Sequence, residues 1–151
     1  MNICEEKSMK IEQIEQLWSD DSTINTTDLT KETIKIPQLH AKYYAIYVKQ
    51  RLLLVKLKAA YKQLKLEKYE FLINPTEEKV KAGWKIPAQG KLLKNEVAQY
   101  LEGDQQLIEM ELKIGIQEEK VGYLKSIIDS INTRNFLIKN ILDDRKFMNG
   151  G

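Results

Sequence analysis

Eight basic side chains lie between residues 42 and 68, and Glu67 is the one acid in that window. They are Lys42, Lys49, Arg51, Lys56, Lys58, Lys62, Lys65 and Lys68. Eight minus one gives a local charge of +7, whereas the whole chain carries only +2. Tyrosines are interleaved with these cations at positions 43, 44, 47, 61 and 69. Such a basic stripe with aromatic residues predicts the binding of a polyanion.

A solvated helix face is the alternative interpretation of these lysines. A soluble coiled coil normally mixes Glu with Lys to gain pairs four residues apart, and that mixture is missing here. Lys58, Lys62 and Lys65 therefore stack like charges on one face unless an anion neutralises them. Tyr43 is predicted to be core, while the other four tyrosines either stack on unpaired bases or pack against the chain.

The sequence gives little support for a catalytic site, a phosphate-binding loop or a metal site. His40 is the only His and Cys4 the only Cys, so neither a Cys-His site nor an intrachain disulfide can be assembled. The seven Gly are scattered rather than gathered in a phosphate loop, and no metal-ligand spacing occurs. We expect a protein without enzymatic activity, metal or cofactor.

Three features of the sequence predict a protein of the cytosol rather than a secreted or membrane protein. A single Cys is typical of a reducing cytosol. No apolar run approaches the roughly 20 residues that span a bilayer. Residues 1–10 lack the apolar core of a signal peptide.

Helical periodicity predicts an all-α fold. A short amphipathic helix is expected from Met9 to Trp18, followed by an extended connector over residues 19–36 that includes one strand-like stretch. Pro37 is predicted to open a long helix that stops before Pro75. Its predicted seam is Leu39, Tyr43, Ile46, Gln50, Leu53, Leu57, Ala60, Leu64, Glu67 and Phe71.

The second half is predicted to be a connector followed by another long helix. A short helix over residues 75–82 and another over residues 91–101 precede an interruption at Gly103. Apolar residues then repeat at steps of three and four over about five heptads, with Asn135 at a seam position that sets register. The fold class is thus a long-helix coiled-coil hairpin with a short N-terminal helix and a helical connector.

The last apolar stripe is wider than one antiparallel partner can cover. Either the first long helix and a neighbouring chain share it, or it packs in a larger oligomer. The chain is accordingly divided into residues 1–103, which bind nucleic acid, and residues 104–151, which form an oligomerisation helix. The predicted oligomer contacts are Leu107, Met110, Ile114, Val121, Leu124, Ile128, Ile131, Ile138 and Leu142.

Four ordered blocks resemble the UvsY-type recombination mediators of large tailed phages. They are KIPQLHAKYYAIY at 35–47, LKLEKYEF at 64–71, GWKIPAQGKLLKNEVAQYLEGDQQLIE at 83–109 and KIGIQEEKVGYLKSIIDSINTRNFLIKNILDDRKFMNG at 113–150. Lys68 before Tyr69 and Glu70 matches the family's basic residue before an acidic-aromatic step. The family's usual glycine after the aromatic pair is absent at residues 72–74, and its Arg-Gly pair is Arg134-Asn135 here.

The resemblance implies a mediator that binds single-stranded DNA and loads a RecA-like phage recombinase in place of a single-strand-binding protein. It also implies a ring of six or seven copies, without a cofactor, in the cytoplasm of the infected host cell. The expected DNA-binding residues are Lys49, Arg51, Lys56, Lys58, Lys62, Lys65, Lys68 and Tyr69. The alternative is a basic coiled-coil scaffold or chaperone that binds an acidic protein.

Overall fold

Every regular element in the computed structural model, which describes residues 8–150, is an α-helix. The helices are α1 (Ile11–Ser22), α2 (Leu29–Ile73), α3 (Glu77–Lys81), α4 (Val97–Glu102) and α5 (Gln105–Met148). The all-α prediction is confirmed, and the described residues contain no strand in the predicted connector. Cys4 lies outside the described residues.

Two compact units divide the chain. The first comprises the described residues up to Arg51 together with those from Glu119 onward, and the second comprises Leu52–Glu118. Both long helices contribute to each unit. Within each unit they run antiparallel: in the second, for example, Lys58 pairs with Glu118 whereas Lys68 pairs with Asp104.

Helix α2 begins at Leu29, so the prediction that it starts at Pro37 after an extended connector was wrong. Asp28 provides the start signal, because its Oδ1 accepts the backbone N–H of Lys31 at 3.0 Å. Leu29 and Glu32 in the first turn are buried. Pro37 lies inside the helix and lacks one backbone hydrogen-bond donor. The Asp28 cap and the burial of Leu29 and Glu32 outweigh the loss of that hydrogen bond. The predicted end is confirmed, since α2 stops at Ile73.

The core of the first unit joins α1, α2 and α5. Ile14 of α1, Tyr43 of α2 and Leu124 of α5 are fully buried in one cluster. Trp18 meets the Tyr43 ring edge-on at 5.3 Å between centroids. The Tyr43 hydroxyl donates to Asp21 at 2.9 Å, and burial together with this carboxylate raises the pKa of Tyr43. The short N-terminal helix therefore packs on α2 and α5 through apolar side chains and is also held to α2 by a hydrogen bond.

An ion pair is buried at the top of this core. Arg134 Nη2 lies 2.9 Å from Glu32 Oε2, and the two side chains are 4% and 1% exposed. The same guanidinium donates to the carbonyls of Ser22 at 3.0 Å and Thr23 at 3.1 Å. Arg134 on α5 therefore holds the end of α1 and the start of α2 together.

The register of α5 differs from the predicted seam at its C-terminal end. Asn135 is exposed and the neighbouring Arg134 is buried, so the prediction that Asn135 sets the register was wrong. Three helices meet in this unit. Because α1 also packs on α5, the residues of α5 that are buried differ from those that a two-helix seam would bury. Ile131 and Ile138 are nevertheless buried, as their spacing predicts.

The core of the second unit is formed by Leu72, Leu92, Val97, Leu101 and Leu107. Helix α4 begins at Val97 rather than at the predicted residue 91. The backbone N–H of Leu92 donates to the Leu72 carbonyl at 3.0 Å, which fixes residue 92 outside a helix. Gly103 ends α4 as predicted. The connector is thus tied to the last turn of α2.

We expect Arg134→Met to lower the free energy of unfolding by about 3–5 kcal/mol, because it leaves Glu32 buried without its partner. Asn135→Ala, one residue along and exposed, should change it by less than about 0.5 kcal/mol. Urea denaturation followed by circular dichroism measures both. Equal midpoints for the two variants would contradict a stabilising role for the buried pair.

Stability should also fall in acid through Glu32. The hydrogen bond from Lys35, helped by Arg134, holds the pKa of this carboxyl below its usual range despite burial. A lowered folded-state pKa stabilises the fold above the unfolded pKa and ceases to do so as pH falls through the folded value. Glu32→Gln should therefore flatten the loss of unfolding free energy between about pH 6 and pH 3. A pH series of urea curves that keeps the wild-type slope would contradict this.

Candidate nucleic-acid interface

All cations of the basic stretch except Lys68 are exposed. Four of them make neither an ion pair nor a ring contact with the described residues: Lys49 and Arg51 in the first unit, Lys56 and Lys62 in the second. None of the four has an acidic partner among residues 8–150. Unpaired, hydrated cations are available to phosphate without first losing an internal contact. These four are the part of the predicted set that best fits phosphate binding.

Lys58 and Lys65 have neighbours within the second unit. Lys58 Nζ lies 2.5 Å from Glu118 Oε1, with both side chains about half exposed. Lys65 lies over the Tyr61 ring at 5.8 Å from its centroid. The predicted repulsion among Lys58, Lys62 and Lys65 is thus relieved in part by an α5 carboxylate. An exposed pair of this kind contributes little to stability and can exchange its acid for a phosphate.

Lys68 lies in a different environment from the other cations. It is only 9% exposed, its Nζ is 3.0 Å from Asp104 Oδ2, and it lies 4.2 Å from the centre of the Trp84 ring. Lys79 approaches the same ring at 4.5 Å and pairs with Glu67 at 2.7 Å. The hydrogen bond from Lys79 lowers the pKa of Glu67. Lys68 therefore helps to anchor the connector, a role that its place in the basic run did not reveal.

The tyrosines are mostly packing residues. Tyr43 is fully buried, as predicted, and Tyr69 packs against the core of the second unit. The Tyr61 hydroxyl donates to Glu111, and this hydrogen bond raises the pKa of Tyr61. Tyr44 is half exposed and stacks on His40 with 5.6 Å between ring centres. Tyr44, which the expected DNA-binding set omitted, is thus the tyrosine with the most open ring face on α2.

The predicted oligomer contacts divide into two groups. Leu107, Leu124, Ile128, Ile131 and Ile138 are buried within the single chain. Met110, Ile114 and Val121 are partly buried, and Leu142 is exposed. The exposed large apolar side chains of α5 are instead Leu112, Ile116, Phe136, Leu137, Leu142, Phe147 and Met148. These side chains, rather than the buried seam, are the apolar surface that α5 exposes.

The described residues offer no group of three or more His, Cys, Asp or Glu side chains placed to hold a metal ion. None of their helices has a stretch long and apolar enough to cross a membrane. One concavity beside the connector, of about 500 Å³, is lined by Trp84, Ile86 and Tyr100 among others. The exposed cations of α2, rather than a cavity, remain the candidate site.

Comparison with known proteins identifies the family. Residues 17–151 match the family model of UvsY, described as "Recombination, repair and ssDNA binding protein UvsY". The chain belongs to the UvsY family. No curated protein sequence matches it.

Solved structures of the bacteriophage T4 recombination mediator protein UvsY share the fold. One crystal form gives a TM-score of 0.76 at 20% identity, covering 94% of this chain and 99% of that one. Another gives 0.74 at 18% identity, covering 93% and 99%. The UvsY-like arrangement of helices is therefore retained although most side chains differ.

We expect Lys68→Ala and Lys62→Ala to differ in stability, because Lys68 anchors the connector of this UvsY-family chain whereas Lys62 is exposed and unpaired. Lys68→Ala should lower the unfolding free energy by about 1–3 kcal/mol, because it leaves Asp104 without its partner and uncovers Trp84. Lys62→Ala should change it by less than about 0.5 kcal/mol. Thermal unfolding followed by Trp fluorescence is the measurement. A destabilisation by Lys62→Ala that matches Lys68→Ala would refute this division.

Proposed function

We propose that this UvsY-family chain is a phage recombination mediator that binds single-stranded DNA through the exposed cations of α2. It promotes the loading of a RecA-like recombinase in place of a single-strand-binding protein. The observation that carries the proposal is the set of four exposed cations without acidic partners, Lys49, Arg51, Lys56 and Lys62. Lys58 and Lys65 extend the set on the same helix. Family membership supports this choice of polyanion.

Phosphate contact accounts for the properties that a mediator needs. Neutralising phosphates releases counterions, so the affinity depends on salt and little on base sequence. Tyr44 offers an aromatic face to an unpaired base beside the cations. Such binding holds any strand and releases it when a filament-forming protein competes.

Assembly increases this weak binding. If six or seven copies present the same helix to one strand, the second and later contacts become intramolecular, and avidity rises without any new contact. We propose that residues 104–151 contribute the self-association and residues 1–103 most of the DNA contact. The host cytoplasm, where phage DNA is recombined, is the proposed compartment.

Catalysis is not part of the proposed role. The sequence lacks a phosphate-binding glycine loop. The pure protein should not turn over ATP, and stimulated turnover should appear only with the recombinase and DNA present. Robust hydrolysis by the isolated chain would overturn this part of the proposal.

The DNA site is tested with a charge-matched pair of variants. Lys56→Ala with Lys62→Ala should weaken binding to oligo-dT and to mixed sequence alike, and should lower the salt slope by about 1.4, twice 0.7 per single-strand phosphate contact. Lys125→Ala with Lys139→Ala removes the same charge from exposed positions of α5 and should keep the slope. Fluorescence anisotropy over a salt series measures both. Equal slopes for the two double variants would place the DNA elsewhere.

A further inference from the structure

The part of the connector between α3 and α4 is longer than a link between two helices needs to be. It runs over residues 82–96 with turns but no helix or strand. Connections between helices usually take about 2–8 residues, and longer ordered loops commonly carry function. The hydrogen bond from Leu92 to the Leu72 carbonyl holds this segment against α2. The connector is therefore a fixed surface of the second unit.

A second basic run, separate from the predicted DNA-binding residues, crosses this connector. Residues 79–94 contain five Lys and no Asp or Glu, which gives +5, and Glu77 and Glu78 precede them. Lys79 is the member of the run that pairs with an acid, Glu67. Four Lys are exposed and make no ion pair with residues 8–150: Lys81, Lys85, Lys91 and Lys94.

Apolar side chains lie exposed beside these cations. Ile86 is 47% exposed, Val80 42% and Tyr100 39%. Ile86 lines two concavities, one of about 500 Å³ that it shares with Tyr100 and one of about 310 Å³ that it shares with Val80. Lys85 lines the first of these and Lys81 the second. We call the surface formed by these five residues the connector face.

The ring and the acid beside the connector face already have partners in the chain. Lys68 and Lys79 lie 4.2 Å and 4.5 Å from the centre of the Trp84 ring, and Phe71 meets that ring edge-on at 5.3 Å between centroids. Asp104, which lines the larger concavity, pairs with Lys68 at 3.0 Å. The groups that stay open to another molecule are the exposed lysines and the apolar side chains of the connector face.

We infer that the connector face binds an acidic segment of a protein partner that carries apolar side chains among its carboxylates. The carboxylates pair with Lys81 and Lys85, and an apolar side chain enters a concavity beside Ile86. Complementary charge guides such an encounter, and burial of the apolar side chain supplies affinity. The inference goes beyond the proposed function, because it assigns a second ligand to a different basic run.

Single-stranded DNA is the competing polyanion for this surface. Proteins that hold a single strand without sequence preference stack its bases on open aromatic rings. The Trp84 ring is already contacted by two ammonium groups, and Ile86 and Val80 have no π face to offer a base. Exposed aliphatic side chains grouped on a surface instead indicate a contact with a protein. The connector face therefore fits an acidic protein segment better than a nucleic acid.

Two probes and a matched pair of isoleucine variants test the apolar part of this surface. The first probe is a labelled synthetic peptide of Asp, Glu, Leu and Phe, and the second has Ser in place of Leu and Phe. Ile86→Gln should lower the affinity for the first peptide about fivefold, because a half-exposed Ile no longer covers its apolar side chain. Ile34→Gln makes the same substitution at a 60% exposed position of the first unit and should keep that affinity.

A second matched pair tests the charges. Lys81→Gln with Lys85→Gln should weaken binding of the first peptide about fivefold at low salt, and the difference should shrink as salt screens the contact. Lys125→Gln with Lys139→Gln removes the same charge from exposed positions of α5 and should leave the affinity unchanged. Fluorescence anisotropy measures the affinities, and circular dichroism checks that each variant is folded.

Oligo-dT affinity and the mass from light scattering should be the same for wild type and Ile86→Gln. A wild type that does not bind the first peptide, equal binding of the Ser peptide, or unchanged peptide affinity in either connector variant would overturn the inference. A fivefold loss of oligo-dT affinity in the connector variants would assign the face to DNA, and a changed mass would assign it to a second copy. Either of these results would also overturn it.

Discussion

The ion pair between Arg134 and Glu32 organises the first unit. One guanidinium on α5 binds the first turn of α2 and the last carbonyls of α1, so three helices meet at a single polar group. A buried charge pair is costly to desolvate, and the hydrogen bonds that both terminal guanidinium nitrogens make offset part of that cost. Its value here is positional, because it fixes which residues of α2 and α5 face each other.

The tertiary structure redistributes the charge that the sequence concentrates. Of the basic residues in the second unit, Lys68 is neutralised by Asp104 and Lys58 is paired with Glu118. These acids come from the other end of the unit's sequence, at least 36 residues away, counting from Lys68 to Asp104. What remains for a ligand in this unit is a smaller set of exposed cations. The packed structure thus separates anchoring cations from free ones.

The two units use the same pair of helices differently. In the first, α1 covers an additional strip of α5, and the apolar residues are enclosed by the chain. In the second, only the short helices and the connector add to the pair, and each long helix keeps an apolar face in water. A face of that kind is costly for an isolated chain and useful for an assembling one.

The sequence by itself determined the helical class, the two long helices, the end of α2 before Pro75 and the location of the basic stretch. These depend on apolar period, proline geometry and composition, which act over a few residues. The tertiary structure alone decided that Lys68 is an anchor, that Arg134 rather than Asn135 is buried, and that α2 begins at Leu29. It also decided that most of the predicted oligomer contacts are covered by the chain itself. Each of these depends on partners that are distant in sequence, and the pairing of charges and apolar faces across such distances is set only when the helices pack.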